Sequence, residues 1–191
     1  TIPNYAFYDC SKLTGEIPTK GKTSIGPYAF YNCAGFTGDL NLLSHGPTIN
    51  AYSFYNCAGL NGQLLLPISL SNVNQYAFYG CSGLTGEIDC RSVQNVYKYA
   101  FAKCSGLTGP LVFEQPKSIK EYAFAECSGF SDTLSFLVNE LDIGQCAFKG
   151  CSGFNKGTLR FTMNNYEESD GTNSYYSPSY TYPYFLKIDN N

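Results

Sequence analysis

The chain has 191 residues, 43% hydrophobic and 16% aromatic, which is ample for one buried core. Fifteen acidic and twelve basic side chains leave a net charge of −3, and the basic ones are scattered, which argues against a nucleic-acid groove. No apolar run is long enough to span a bilayer and no basic-plus-apolar leader opens the chain, so membrane insertion is not expected.

Thr1-Ile2 already lies inside a repeated pattern, which is read as a mature or truncated start, because a solenoid normally opens with a polar cap. The copies align on Cys10, Cys33, Cys57, Cys81, Cys104, Cys127 and Cys151, which fall 23 or 24 residues apart. A fixed period of this size means a solenoid, in which each coil buries its apolar face only by stacking on its neighbours. Within a repeat the order is Ile or Val, then Tyr-Ala-Phe-x-x-Cys, then Leu or Phe, then a short alternating apolar stretch. Tyr-Ala-Phe-x-x-Cys is too short for a full helix and predicts a 3₁₀ turn or short helical segment. The alternating stretch, as in Leu64-Leu65-Leu66 and Leu111-Val112-Phe113, predicts a strand. Gly15, Gly38, Gly62, Gly86 and Gly109 recur before it, where a bulge or a positive φ suits glycine.

Further along, Leu40 to Gly86 contains no Asp, Glu, Lys or Arg. A charge-free stretch in a thin solenoid is either merely polar surface or a contact face. Its one histidine, His45, precedes Gly46-Pro47 and reads as a loop residue. Cys90 takes the inward strand slot held elsewhere by Leu42, Leu66, Phe113 and Phe136, while Cys146 replaces the repeat tyrosine. The seven aligned cysteines form a column with rungs roughly 4.8 Å apart. Side chains in a column point the same way, against the dihedral of about ±90° that a disulfide needs. Free buried thiols acting as small apolar fillers are therefore expected. Tyr8, Tyr31, Tyr55 and Tyr79 make a tyrosine column that ends at Ala102, Ala125 and Lys149, and partly buried stacking is the simplest account of it. Beyond Phe161 the pattern stops, and a Tyr/Ser/Pro-rich segment leads to a strand-like Tyr184-Phe185-Leu186-Lys187-Ile188. The expected organisation is seven repeats over 1–161 and a C-terminal cap over 162–191.

Ala-Phe-x-x-Cys-x-x-Leu followed by a strand and a segment such as Thr23-Ser24-Ile25-Gly26 resembles the BspA-type leucine-rich repeat family. The resemblance covers Ile2 to about Phe161 and departs from the commonest form by one added residue before the strand. It implies a β-rich, right-handed leucine-rich-repeat solenoid, with a parallel sheet on one face and short 3₁₀ or helical turns and loops on the other. It also implies an extracellular or cell-surface setting, where some such proteins adhere to host proteins or other cells. No family catalytic residue exists to carry over, and no cofactor is expected.

The outward register of the sheet is the candidate partner-binding face, for a protein or glycan surface. It comprises Thr14, Thr37, Asn61 and Thr85 in one row, Glu16, Asp39, Gln63 and Glu87 in the next, and Leu65, Asp89 and Val112 in a third. The pairs Glu16 with Asp39 and Glu87 with Asp89 lack both the tight loop of a calcium site and an enclosing pocket, so neither metal nor catalysis is expected of them. A second function class is a structural subunit that stacks head-to-tail on itself into a filament. Ile2, Tyr5, Phe7, Leu13 and Ile17 on the first rung, with Tyr184, Phe185 and Ile188, are the candidate end-to-end contact.

Overall fold

The computed structural model describes residues 1–137, 141–156 and 159–162. Among them the chain is a stack of parallel coils without an α-helix, the solenoid that the repeat period requires. Strands pair across coils on two sides of the stack. On the front are β1 (Leu40–Asn41), β3 (Leu64–Leu65), β6 (Gly109–Phe113), β8 (Phe130–Leu137) and β10 (Leu159–Thr162). On a second side are β2 (Thr48–Ile49), β4 (Asn72–Val73), β5 (Asn95–Val96), β7 (Ser118–Ile119) and β9 (Asp142–Ile143).

The second set corrects the expectation of a single sheet. Its five strands pair in the order β2-β4-β5-β7-β9 and are the continuous ladder of the molecule. The front is broken into β1-β3 and β10-β8-β6. Between them Glu87–Cys90 forms no strand, and the coils meet there only through the isolated bridges Gln63↔Thr85 and Gly86↔Leu107. A local cause is visible at Asp89, whose carboxylate accepts from the Arg91 backbone N–H at 3.1 Å and pairs with the Arg91 guanidinium at 2.6 Å. Such short-range side-chain bonds compete with a strand ladder. The recurring glycine acts in the same region: Gly86 has φ +79° and Gly109 has φ +78°. Gly109 pairs with Phe130 and Leu111 with Leu134, so the extra residues bulge from β8, between Phe130 and Leu134, opposite that glycine.

The Tyr-Ala-Phe-x-x-Cys segment forms turns rather than the expected 3₁₀ or helical segment; the 3₁₀ helix among the described residues, Ser152–Lys156, begins only after the last repeat cysteine, Cys151. Its amides alternate in destination. Ser53, Tyr55 and Cys57 donate three residues back, to Asn50, Tyr52 and Phe54, whereas Tyr52, Phe54 and Asn56 donate to Gln75, Ala77 and Tyr79 of the next coil. A third inter-coil ladder results. Alternation requires left-handed backbone at two positions, here Tyr52 and Asn56, both at φ 56°. A non-glycine residue there costs roughly 1–2 kcal/mol, which aromatic stacking of about 0.5–1.5 kcal/mol per pair largely offsets at the tyrosine.

Inside the three ladders lies the core. Phe30, Phe54, Phe78, Phe101 and Phe124 are fully buried, and each ring lies parallel to the next with centroids 5.0–5.6 Å apart. Cys90 is buried in the strand slot that the pattern assigns to it. Close stacking also explains a glycine that pattern alone leaves as a spacer: a Cβ on Gly83 would lie 2.3 Å from the Leu60 carbonyl oxygen.

Candidate functional site

The front rows are placed by β1, β3, β6 and the glycine-containing segments before them. Thr14, Glu16, Thr37, Asp39, Asn61, Gln63, Thr85, Glu87 and Asp89 are exposed, and Leu65 and Val112 are half-buried. Four members are already engaged by the fold, among them Thr85, whose hydroxyl donates to the Gly62 carbonyl at 3.3 Å, and Asp89, paired with Arg91. Asp39 Oδ1 accepts from the Gln63 N–H at 2.7 Å, and Asn61 Oδ1 accepts from the Gly38 N–H at 2.8 Å. These side chains take backbone N–H groups of the adjoining coil just before β1 and β3, a duty that spacing alone does not reveal. The Arg91 guanidinium beside Asp89 holds its carboxyl below the usual range. Thr14, Glu16, Thr37, Gln63 and Glu87 are left as the rows' outward polar groups.

The first-rung residues do not share one environment. Ile2 and Ile17 are buried and Phe7 is half-buried, whereas Tyr5 and Leu13 are exposed. Tyr184, Phe185 and Ile188 lie outside the described residues.

The tyrosine column has a neighbour. Tyr5, Tyr28, Tyr52, Tyr76, Tyr99 and Tyr122 stack alongside Tyr8, Tyr31, Tyr55 and Tyr79, with parallel rings 4.6–5.0 Å apart in each column. Rings in the interior of the ribbon are half-buried. Burial first, and neighbouring hydroxyls second, raise the pKa of Tyr31, Tyr52 and Tyr76.

All nine cysteines are free thiols. Their role differs from that of an apolar filler. Cys57 Sγ donates to the Phe30 carbonyl at 3.0 Å, and Cys81, Cys104, Cys127 and Cys151 do the same to Phe54, Phe78, Phe101 and Phe124. Each of these carbonyls also accepts the amide of the cysteine three residues on, so the thiol supplies its second bond. Cys33 repeats the contact with Phe7, while Cys10 lies half-exposed.

His45 lies in the loop between β1 and β2, as expected, but it is not a solvated loop residue. It is buried, its Nε2 accepts the Ile25 backbone N–H at 3.0 Å, and its Nδ1 faces the Gly46 carbonyl at 3.2 Å. This arrangement requires the neutral ring with its proton on Nδ1. Among the described residues, no group of three or more His, Cys, Asp or Glu is placed to hold a metal ion, and no helix is long and apolar enough to cross a membrane.

A family model for the BspA type leucine rich repeat region matches residues 1–131 and 117–176, in six copies. The chain belongs to the BspA-type leucine-rich repeat family. Neither the curated proteins nor the solved structures contain a significant match. BspA-type repeats are generally non-catalytic binding modules, typically surface-associated, and this chain shares their architecture.

Proposed function

We propose that this chain is a non-enzymatic adhesion module of a secreted or cell-surface protein, and that it binds a protein or glycan through its front face. The observation that supports this reading is the row of exposed polar side chains held at one register across successive coils, from Glu16 through Gln63 to Glu87. A solenoid offers such a face as an extended, pre-organised surface, so little ordering entropy opposes binding. The Leu40 to Gly86 stretch adds a contact zone without charges to desolvate.

Beads coated with the intact chain test it on an epithelial cell monolayer, before and after protease or periodate treatment. Adhesion should fall several-fold when Glu16, Gln63 and Glu87 are all changed to Lys, and one of the two treatments should abolish it. Adhesion that is unchanged by the triple variant would remove the front face from consideration.

A further inference from the structure

Stacking decides what the tyrosine ribbon can bind. A ring packed between two parallel neighbours has both π faces covered and shows solvent only its edge and hydroxyl. Most of the ribbon therefore offers no platform for another ring. The exceptions are the column ends, at Tyr5, Tyr8, Tyr122 and Tyr79, and the last of these lies inside the stack, where the second column stops and the first continues.

After Tyr79 the next two column positions are Ala102 and Ala125, both buried, and the third is Lys149. They leave a recess of about 250 Å³. Tyr79 closes one end, the alanines form the floor, and Tyr99 and Tyr122 of the surviving column make the side wall. Lys103, Glu126 and Lys149, all exposed, line the rest. The Tyr79 face turned toward the recess meets no parallel ring. Instead the Lys103 ammonium sits 5.5 Å from its centroid. Tyr79 and Tyr99 also stand at 74°, whereas the same diagonal pairs in earlier coils stand at 48–52°.

We propose that this recess is a binding site for one carboxylate-bearing pyranose, stacked on the Tyr79 face that has no ring neighbour and from which Lys103 swings aside. The vacancy is the place of a ring, because each earlier coil fills it with one. A sugar suits it better than an aromatic side chain. Its apolar face matches Tyr79 and the two alanine methyls, while its hydroxyls meet the tyrosine edges, the Glu126 carboxylate and the ammonium groups. A plain aromatic ring would leave those groups unpaired. The two lysines outnumber Glu126, which favours an acidic sugar over a neutral one. Lys103 is free to turn toward a carboxylate, because an exposed cation–π contact is worth only about 0.5–1 kcal/mol.

The experiment is an NMR titration of the intact chain with glucuronate, with glucose and 4-hydroxybenzoate run alongside. Glucuronate should give saturable shifts at the Ala102, Lys103 and Ala125 amides, with glucose binding more weakly. Ala102→Tyr restores the residue of the four earlier coils and should abolish the shifts while keeping the folded spectrum. The surface changes Lys103→Gln and Lys149→Gln together should weaken binding by about tenfold, the scale of two exposed ion pairs. Three outcomes overturn the proposal: no shifts in the unaltered chain, equal binding by Ala102→Tyr, or equal or tighter binding of 4-hydroxybenzoate at the same amides. The front-face triple variant should bind glucuronate like the unaltered chain, so failure of one site leaves the other standing.

Discussion

Two residue types in this chain owe their place to a proton. The repeated cysteine is buried and donates to a phenylalanine carbonyl of the preceding coil. Burial pushes the Cys33 and Cys151 thiols up to about 12 and drives Cys57, Cys104 and Cys127 well above their ordinary value. In the unfolded chain these thiols ionise near pH 8.5. The folded state keeps protons that the unfolded state has lost, so stability is full below about pH 8.5 and falls as pH rises toward 12. Urea midpoints measured with reductant should therefore drop between neutral pH and about pH 10; equal midpoints would contradict the buried, protonated column. His45 works in the opposite direction. Burial lowers its pKa, and its Nε2 must stay unprotonated to accept from Ile25. Its contribution is full above about pH 6.5 and is lost as pH falls toward the lower folded value. His45→Gln keeps an acceptor without a titration, and should flatten this acid slope. His45→Ala leaves the Ile25 N–H unpaired, and should cost about 1–3 kcal/mol at neutral pH.

Elements in this fold are mostly two-residue strands, and their strength lies in repetition across coils. The second-side ladder is unbroken over five coils, whereas the front ladder skips Glu87–Cys90. Amide exchange should read this difference directly. Val73 and Val96, in β4 and β5, should be strongly protected, and Ile88 and Cys90 should exchange much faster although their side chains are equally buried. Equal protection would mean that the front ladder is continuous in solution. The inward slots are legible in sequence because burial follows the repeat period: Cys90, Phe78 and the cysteine column all sit where the pattern puts them. The second ladder is not legible, since one Ile or Val between polar neighbours carries no strand alternation. The left-handed tyrosines are hidden too, because pattern gives no hint that a Tyr takes φ near 56°. His45 escapes for a different reason: it acts as a stand-in carbonyl at a single coil, and a repeat analysis averages such events away. The front-face residues can be placed from register alone, but the backbone duties of Asp39 and Asn61 depend on which N–H of the adjoining coil lies within their reach, which register does not give.

At the scale of the whole molecule, each coil touches only the coils beside it, so stability is a sum of coil and interface terms. Phe78 stands in the middle of the stack, with its ring 5.5 Å from Phe54 and 5.1 Å from Phe101. Phe78→Ala removes both contacts together with the buried volume and should cost about 3–5 kcal/mol. Thr85, exposed and on the same repeat, should cost well under 1 kcal/mol when changed to Ser. Position in the array adds a second signature. Cutting both central interfaces uncouples the coils on either side, so the urea transition of Phe78→Ala should broaden or split, and its m value should fall along with its midpoint. Exposed ion pairs do not bridge that gap: among the described residues they are Arg91 with Asp89 and Lys120 with Asp142, the first within one coil and the second nearer the C-terminal side. A midpoint that drops while m stays unchanged would show the opposite: coils coupled tightly enough to unfold as one unit despite the missing ring.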